Sequence, residues 1–130
     1  MNRLGIHQEA RMPRFALLEH DFPTLHWDFF LEAGDSLRSW RILHEPTPHQ
    51  SFSTEAEAIA DHRLLYLDYE GPVSGGRGHV RQIDAGTFEW LQDTPEALQV
   101  HLYGRQFQGG ITLQESESGW RWKYEPNRDQ

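Results

Sequence analysis

The chain has 130 residues, 37% of them apolar, which suits one domain with a continuous core and is too short for two ordinary ones. Twenty acidic against twelve basic residues give a formal charge of -8, which disfavours a protein that grips duplex nucleic acid along its backbone, so any such contact is expected to be local. With no cysteine there are no disulfides and no thiolate metal sites, and a tightly bound metal has to use histidine and carboxylate.

Met1 to Arg14 mixes charged and polar residues without a signal-peptide core, and nowhere do apolar residues run to the roughly 20 of a membrane span. A soluble, cytoplasmic protein is expected, with residues 1–14 as an extension, 15–124 as the domain and 125–130 as a tail. Leu25 to Glu32 and Leu37 to Leu43 are short and rich in aromatic and aliphatic residues; Ala33-Gly34-Asp35-Ser36 between them predicts a hairpin. Ser53 to Ala60, with its alanines and glutamates and the capping-box spacing of Thr54 and Glu57, favours a helix by local preference, with strand as the open alternative. Gly71 to Gly78 reads as a flexible, glycine-rich loop that lacks the lysine-bearing phosphate-loop pattern. A second hairpin is predicted where His79 to Ile83 meets Thr87 to Trp90 across Asp84-Ala85-Gly86. Thr94-Pro95 could begin one helical turn ending at Leu98. Strands follow at Gln99 to Tyr103, Gly110 to Gln114 and Trp120 to Tyr124. Short strands with glycine-bearing turns predict an all-β domain with minor helix, a sandwich or a small closed or partly open barrel.

The stretch His20-Asp21-Phe22-Pro23-Thr24-Leu25-His26-Trp27-Asp28 carries the chemistry. On a strand, side chains two apart share a face, so His26 and Asp28 project together. His20 precedes a turn at Phe22-Pro23-Thr24 and could return beside them from the neighbouring strand. Two imidazoles and a carboxylate suit Mn, Fe or Zn and leave positions open for water or a phosphate oxygen. By spacing alone the same residues are more often an ordinary solvated strand face.

A wider pattern weighs against that bland reading. Glu19 to Glu32 resembles the signature histidine, five residues, histidine, aromatic, aspartate, phenylalanine, arginine, leucine, glutamate of the 3'-phosphoesterase domain of bacterial DNA ligase D. Leu37-Arg38-Ser39-Trp40 resembles that family's next strand, and Asp61 to Gly71 resembles its aspartate-histidine-proline-leucine segment. Leu102-Tyr103-Gly104 and Gly109-Gly110 resemble its late strands. The resemblance, running from Phe15 to about Tyr124, implies a small β-barrel with a Mn-dependent site, or one using Zn or another divalent transition metal. Such a site would trim a terminal ribonucleoside and then a 3'-phosphate from nucleic-acid ends during end-joining repair. It implies that His20, His26 and Asp28 hold the ion inside the barrel, that His62 contacts the scissile phosphate and can act as general acid, and that Tyr66 orients phosphate or water. The implied partners are a nucleic-acid 3' end or smaller phosphoester and other repair proteins.

The chain departs from the pattern at three cationic positions. Phe30 stands where the family has an arginine expected to clamp phosphate, and phenylalanine offers no donor. His44 stands for a lysine, and Thr54 falls near another phosphate-contacting arginine. The remaining candidates for phosphate contact are His44, Arg63 and Arg77. Phe30 is otherwise expected to pack in the barrel. His7, His49, His79 and His101 match no functional position of the family. These departures leave a second reading open, a catalytically degenerate metal-binding or interaction module of the same fold. A small barrel that binds no metal is a third.

Overall fold

The computed structural model describes residues 11–128; most of the expected 1–14 extension, with His7, and the end of the tail lie outside the described residues. The strands are β1 (Arg14–His20), β2 (His26–Ala33), β3 (Ser36–Ile42), β4 (Phe52–His62), β5 (Gly71–Pro72), β6 (His79–Asp93), β7 (Ala97–Gly104), β8 (Gln108–Ser116) and β9 (Gly119–Pro126). All pairings are antiparallel. The order β1-β2-β3-β4-β9-β8-β7-β6 returns on itself through β1–β6, which closes a barrel of eight strands and leaves the two-residue β5 as a spur on β6. Closure pairs the strand edges that an open sheet would leave free. The one helical element among the described residues is a 3₁₀ turn, Leu64–Leu67.

The barrel interior is filled by one cluster to which each of the eight strands contributes, including Phe15, Phe29, Trp40, Ala56, Phe88, Val100, Ile111 and Trp122. A second, smaller cluster lies on the opposite face of β1 and β2: Ala16, Leu18 and Phe30 are buried with Leu37, Leu67, Val80 and Ala85. Strand residues alternate between faces, and with Ala16 and Leu18 of β1 and Phe30 of β2 on the outer face, that part of the wall must be covered outside as well as inside. The segment from Leu64 to Val73 supplies that cover; Tyr66, Tyr69 and Val73 pack against the outer cluster. It is tied down by Gln82, whose backbone N–H donates to Glu70 at 2.7 Å and whose side chain donates to the Leu67 carbonyl at 3.0 Å.

Three expectations about local structure are corrected. Ser53 to Ala60 is strand, the middle of β4, and pairs with both β3 and β9. Its alanines and glutamates favour helix in isolation, but two flanking strands bond its backbone on both sides, and tertiary pairing overrides a weak local preference. Thr54, at 2% exposure, is buried opposite Trp122. Thr94 to Leu98 forms no helical turn: the Thr94 and Ala97 backbones bond each other across a tight reversal, and the Thr94 hydroxyl accepts from the Ala97 N–H at 3.1 Å. Asp84-Ala85-Gly86 is no hairpin turn either, because β6 runs unbroken through it.

Those turn-forming residues have other uses in β6. Asp84 is fully buried and accepts from the backbone N–H groups of Arg105, Gln106 and Phe107 at 2.9, 3.1 and 2.7 Å, holding the β7–β8 turn. Gly86 lets β7 approach, since a Cβ there would lie 2.2 Å from the Tyr103 carbonyl oxygen. The first hairpin is as expected, with Ala33 opposite Ser36 across a two-residue turn in which Gly34 has φ 67°. No helix among the described residues is long and apolar enough to cross a membrane.

Candidate metal and phosphate site

The spacing of the two histidines is the length of a hairpin loop. β1 ends at His20, β2 begins at His26, and the two residues are direct cross-strand partners, with Leu18 opposite Asp28 one step further along the same face. His20, His26 and Asp28 therefore converge, and one ligand atom from each lies within 4.8 Å of the others. The cluster sits on the outer wall of the barrel, on the same face as Phe30, and the expectation of an ion inside the barrel is corrected accordingly. The interior face of β2 is taken by Trp27, Phe29 and Leu31, and alternation sends His26 and Asp28 the other way.

Each imidazole has one nitrogen tied to a backbone carbonyl and the other turned to Asp28. His26 Nδ1 donates to the Thr24 carbonyl and His20 Nε2 to the Arg77 carbonyl, both at 2.9 Å. A carbonyl only accepts, so in the neutral rings His26 Nε2 and His20 Nδ1 carry lone pairs. These face Asp28 Oδ1 at 3.1 Å and Oδ2 at 3.3 Å. His26 Nε2 and Asp28 Oδ1 are buried and otherwise unpartnered among the described residues. Lone pairs so placed repel unless a cation or a proton joins them, and carbonyl-tethered imidazoles with a carboxylate are the usual dress of a metal site. The residues present thus fit a divalent transition ion. A proton can meet the same demand: hydrogen bonding to Asp28 raises the His20 pKa above its usual 6.5. Burial pushes the Asp28 carboxyl up, but hydrogen bonding and charge from the two histidines outweigh it and hold the pKa at about 2.

The cluster opens into a cleft of about 490 Å³ lined by His20, Asp28, Phe30, Arg41, His62, Arg63, Tyr66 and Arg77, with Leu18, Val73 and Val80 among its apolar walls. His62 reaches it through an irregularity in β4. Ser39 pairs with Ile59 but Leu37 with His62, so Ala60 and Asp61 together oppose one residue of β3. The extra residue turns His62 onto the outer face; bulges commonly re-aim side chains in this way beside active sites. The ring packs against Phe30, tilted by 40° at 4.8 Å between centroids, with Tyr66 edge-on at 5.6 Å. Its Nδ1 lies 3.0 Å from the Ala60 carbonyl and 3.1 Å from Ser39 Oγ, whose own proton goes to the Leu37 carbonyl at 2.9 Å. Nδ1 therefore carries hydrogen, and Nε2 is the nitrogen left for a ligand.

The far wall of the cleft is a turn seated on the β1–β2 hairpin. Val73 bonds Gly78 at 2.8 Å, and the His79 N–H donates to Asp21 at 2.7 Å. Gly78, at φ 79°, is required there: a Cβ would lie 2.3 Å from Asp21 Oδ1 and 2.6 Å from Phe22 Cβ. The expected loop at Gly71 to Gly78 is thus the short β5 followed by this turn, which presents the Arg77 carbonyl to His20. The Arg77 guanidinium donates to Ser74 at 2.7 and 3.1 Å. Arg63 is exposed on the cleft rim. His44 lies past the end of β3, outside the cleft lining and 3.8 Å from Glu55. Arg41 lines the cleft and was not singled out from the sequence, although counting along the strands from the two-residue turn puts it opposite Asp28.

A closed barrel bearing two histidines and an aspartate beside a histidine- and arginine-lined cleft defines the chain's class. A family model described as the DNA ligase D 3'-phosphoesterase domain matches residues 18–115, and the chain belongs to that family. It is similar to the multifunctional non-homologous end joining protein LigD of Pseudomonas aeruginosa, 34% identical over 66% of this chain and 11% of that protein. It is also similar to the multifunctional non-homologous end joining DNA repair protein LigD of Mycobacterium tuberculosis, 31% identical over 83% of this chain and 15% of the relative. The chain therefore spans a small part of the length of both relatives.

Proposed function

We propose that the chain is a divalent-metal-dependent phosphoesterase acting on nucleic-acid 3' ends in end-joining repair. The observation that carries the reading is the convergence of His20 Nδ1, His26 Nε2 and the Asp28 carboxylate, each imidazole tethered by a backbone carbonyl. An ion held there supplies Lewis-acid polarisation of a phosphoryl oxygen and activation of water. The protein's own residues do the rest. His62, held by Ser39 and Ala60 with Nε2 free, binds the phosphate and in its protonated form donates to the departing oxygen. Tyr66, edge-on to that ring, orients phosphate or water, while Arg63 and Arg77 on the rim give an acidic protein a local welcome for anions. The relatives' part in non-homologous end joining and DNA repair supports a setting at nucleic-acid ends beside other repair proteins, which we place in the cytoplasm.

The test is incubation with Mn²⁺ of a primer ending in a 3'-phosphate or a single ribonucleotide. Release of inorganic phosphate or of the terminal ribonucleoside is expected, and a primer left intact with Mn²⁺, Zn²⁺ and Co²⁺ would end the enzymatic reading. The alternative, a degenerate module that binds metal without turnover, is favoured by one observation: Phe30, at the family's arginine position, is 1% exposed and presents no donor.

A further inference from the structure

We propose that Arg41 is the phosphate clamp of this cleft, supplying from β3 the cation that Phe30 cannot supply from β2. The inference rests on the phosphoesterase reading above and deepens it. Arg41 is the direct cross-strand partner of Asp28, which puts their Cβ atoms roughly 5 Å apart on one face of the sheet. It shares the outer face of β3 with Ser39, the residue that holds His62, and so lines the same cleft as Asp28 and the candidate general acid. A phosphate touching both would occupy the cleft that Arg41 also lines.

The donors of Arg41 are uncommitted. Its Nε is buried and has no hydrogen-bond partner among the described residues. Its closest acidic group, Glu57 on β4, lies 3.8 Å from Nη1, too far for a hydrogen bond, with both side chains partly in solvent. A buried guanidinium donor without an acceptor is costly, and a forked pair of bonds to a phosphate is the usual way such a group is satisfied. The other cleft arginines are placed differently: Arg77 spends its guanidinium on Ser74, and Arg63 is on the exposed rim. Phe30 is packed among Leu18, Leu37 and Val80. The cationic position has moved from one strand to its neighbour.

The experiment titrates first Mn²⁺ and then thymidine 3'-monophosphate into the full chain and into Arg41→Ala, Arg41→Lys and Glu57→Gln, by calorimetry. Arg41→Ala is expected to take up Mn²⁺ as the wild type does but to bind the nucleotide roughly tenfold or more weakly. Arg41→Lys recovers part of the loss, having charge without the fork. Glu57→Gln binds the nucleotide as well as the wild type or better, since it frees the guanidinium. Equal nucleotide affinity in wild type and Arg41→Ala overturns the clamp, as does a matching loss in Glu57→Gln, which would mean that the pair only braces the sheet. Mn²⁺ uptake without nucleotide binding by the wild type overturns the clamp alone. A wild type that takes up no Mn²⁺ overturns the phosphoesterase reading, while the Arg41→Ala difference in nucleotide affinity still decides the clamp.

Discussion

The rings of Phe30 and His62 lie 4.8 Å apart and tilted by 40°, so the residue at the family's arginine position has become the floor on which the candidate general acid rests. Phe30 is 1% exposed and packed into the outer cluster. Phe30→Ala should cost about 3–5 kcal/mol of stability, read as a lower urea midpoint, because it empties a ring-sized space in that cluster. Phe30→Arg separates the two functional readings. If Arg41 already supplies the clamp, it raises 3'-phosphate release by less than about tenfold. A degenerate module expects a far larger rise.

Metal binding should show in stability as well as in turnover. At a free Mn²⁺ concentration one hundred times the dissociation constant, linkage adds about 2.7 kcal/mol to the folded state. Scanning calorimetry should show an upward shift in Tm that chelation by EDTA reverses. His26→Ala and Asp28→Ala should show none, because each removes one of the converging ligand atoms. A shift that survives both substitutions places the ion elsewhere.

The dependence on pH should reverse between the metal-free and metal-loaded forms. Without metal, His20 has a raised pKa, so its pairing with Asp28 stabilises fully below the unfolded value of 6.5 and is lost as pH rises through the folded value. The Asp28 side of the pairing is lost only in strong acid, as pH falls through about 2. With metal, the proton on His20 competes with the ion, so the increase in Tm on adding Mn²⁺ should grow from about pH 6 to about pH 8. A Mn²⁺ effect constant across that interval would mean that His20 is not a ligand.

Asp84 should matter for stability and not for metal. It is fully buried and accepts three backbone N–H groups from the β7–β8 turn. Asp84→Ala leaves those donors without their acceptor and should cost about 2–4 kcal/mol in chemical denaturation, with Asp84→Asn costing less because a carbonyl oxygen remains. Mn²⁺ affinity should be unchanged in the folded fraction, and stability equal to wild type would show that the turn holds itself.

Sequence by itself determined the hairpin that brings His20, His26 and Asp28 together. Five residues between His20 and His26 are one loop, His26 and Asp28 share a strand face by alternation, and Gly34-Asp35 makes the two-residue turn that sets β2 against β3. These are local relations, decided within a few residues of chain. Tertiary structure decided the rest, because it depends on partners distant in sequence. Ser53 to Ala60 is strand because β3 and β9 both bond it, and Asp84-Ala85-Gly86 continues a strand in which Asp84 is the buried acceptor for the turn after β7. The cluster faces outward because the barrel interior is already filled by the other face of β2. His62 reaches it only because one extra residue in β4 changes the face on which every later side chain falls, and no local pattern of residue types announces where such a slip will occur.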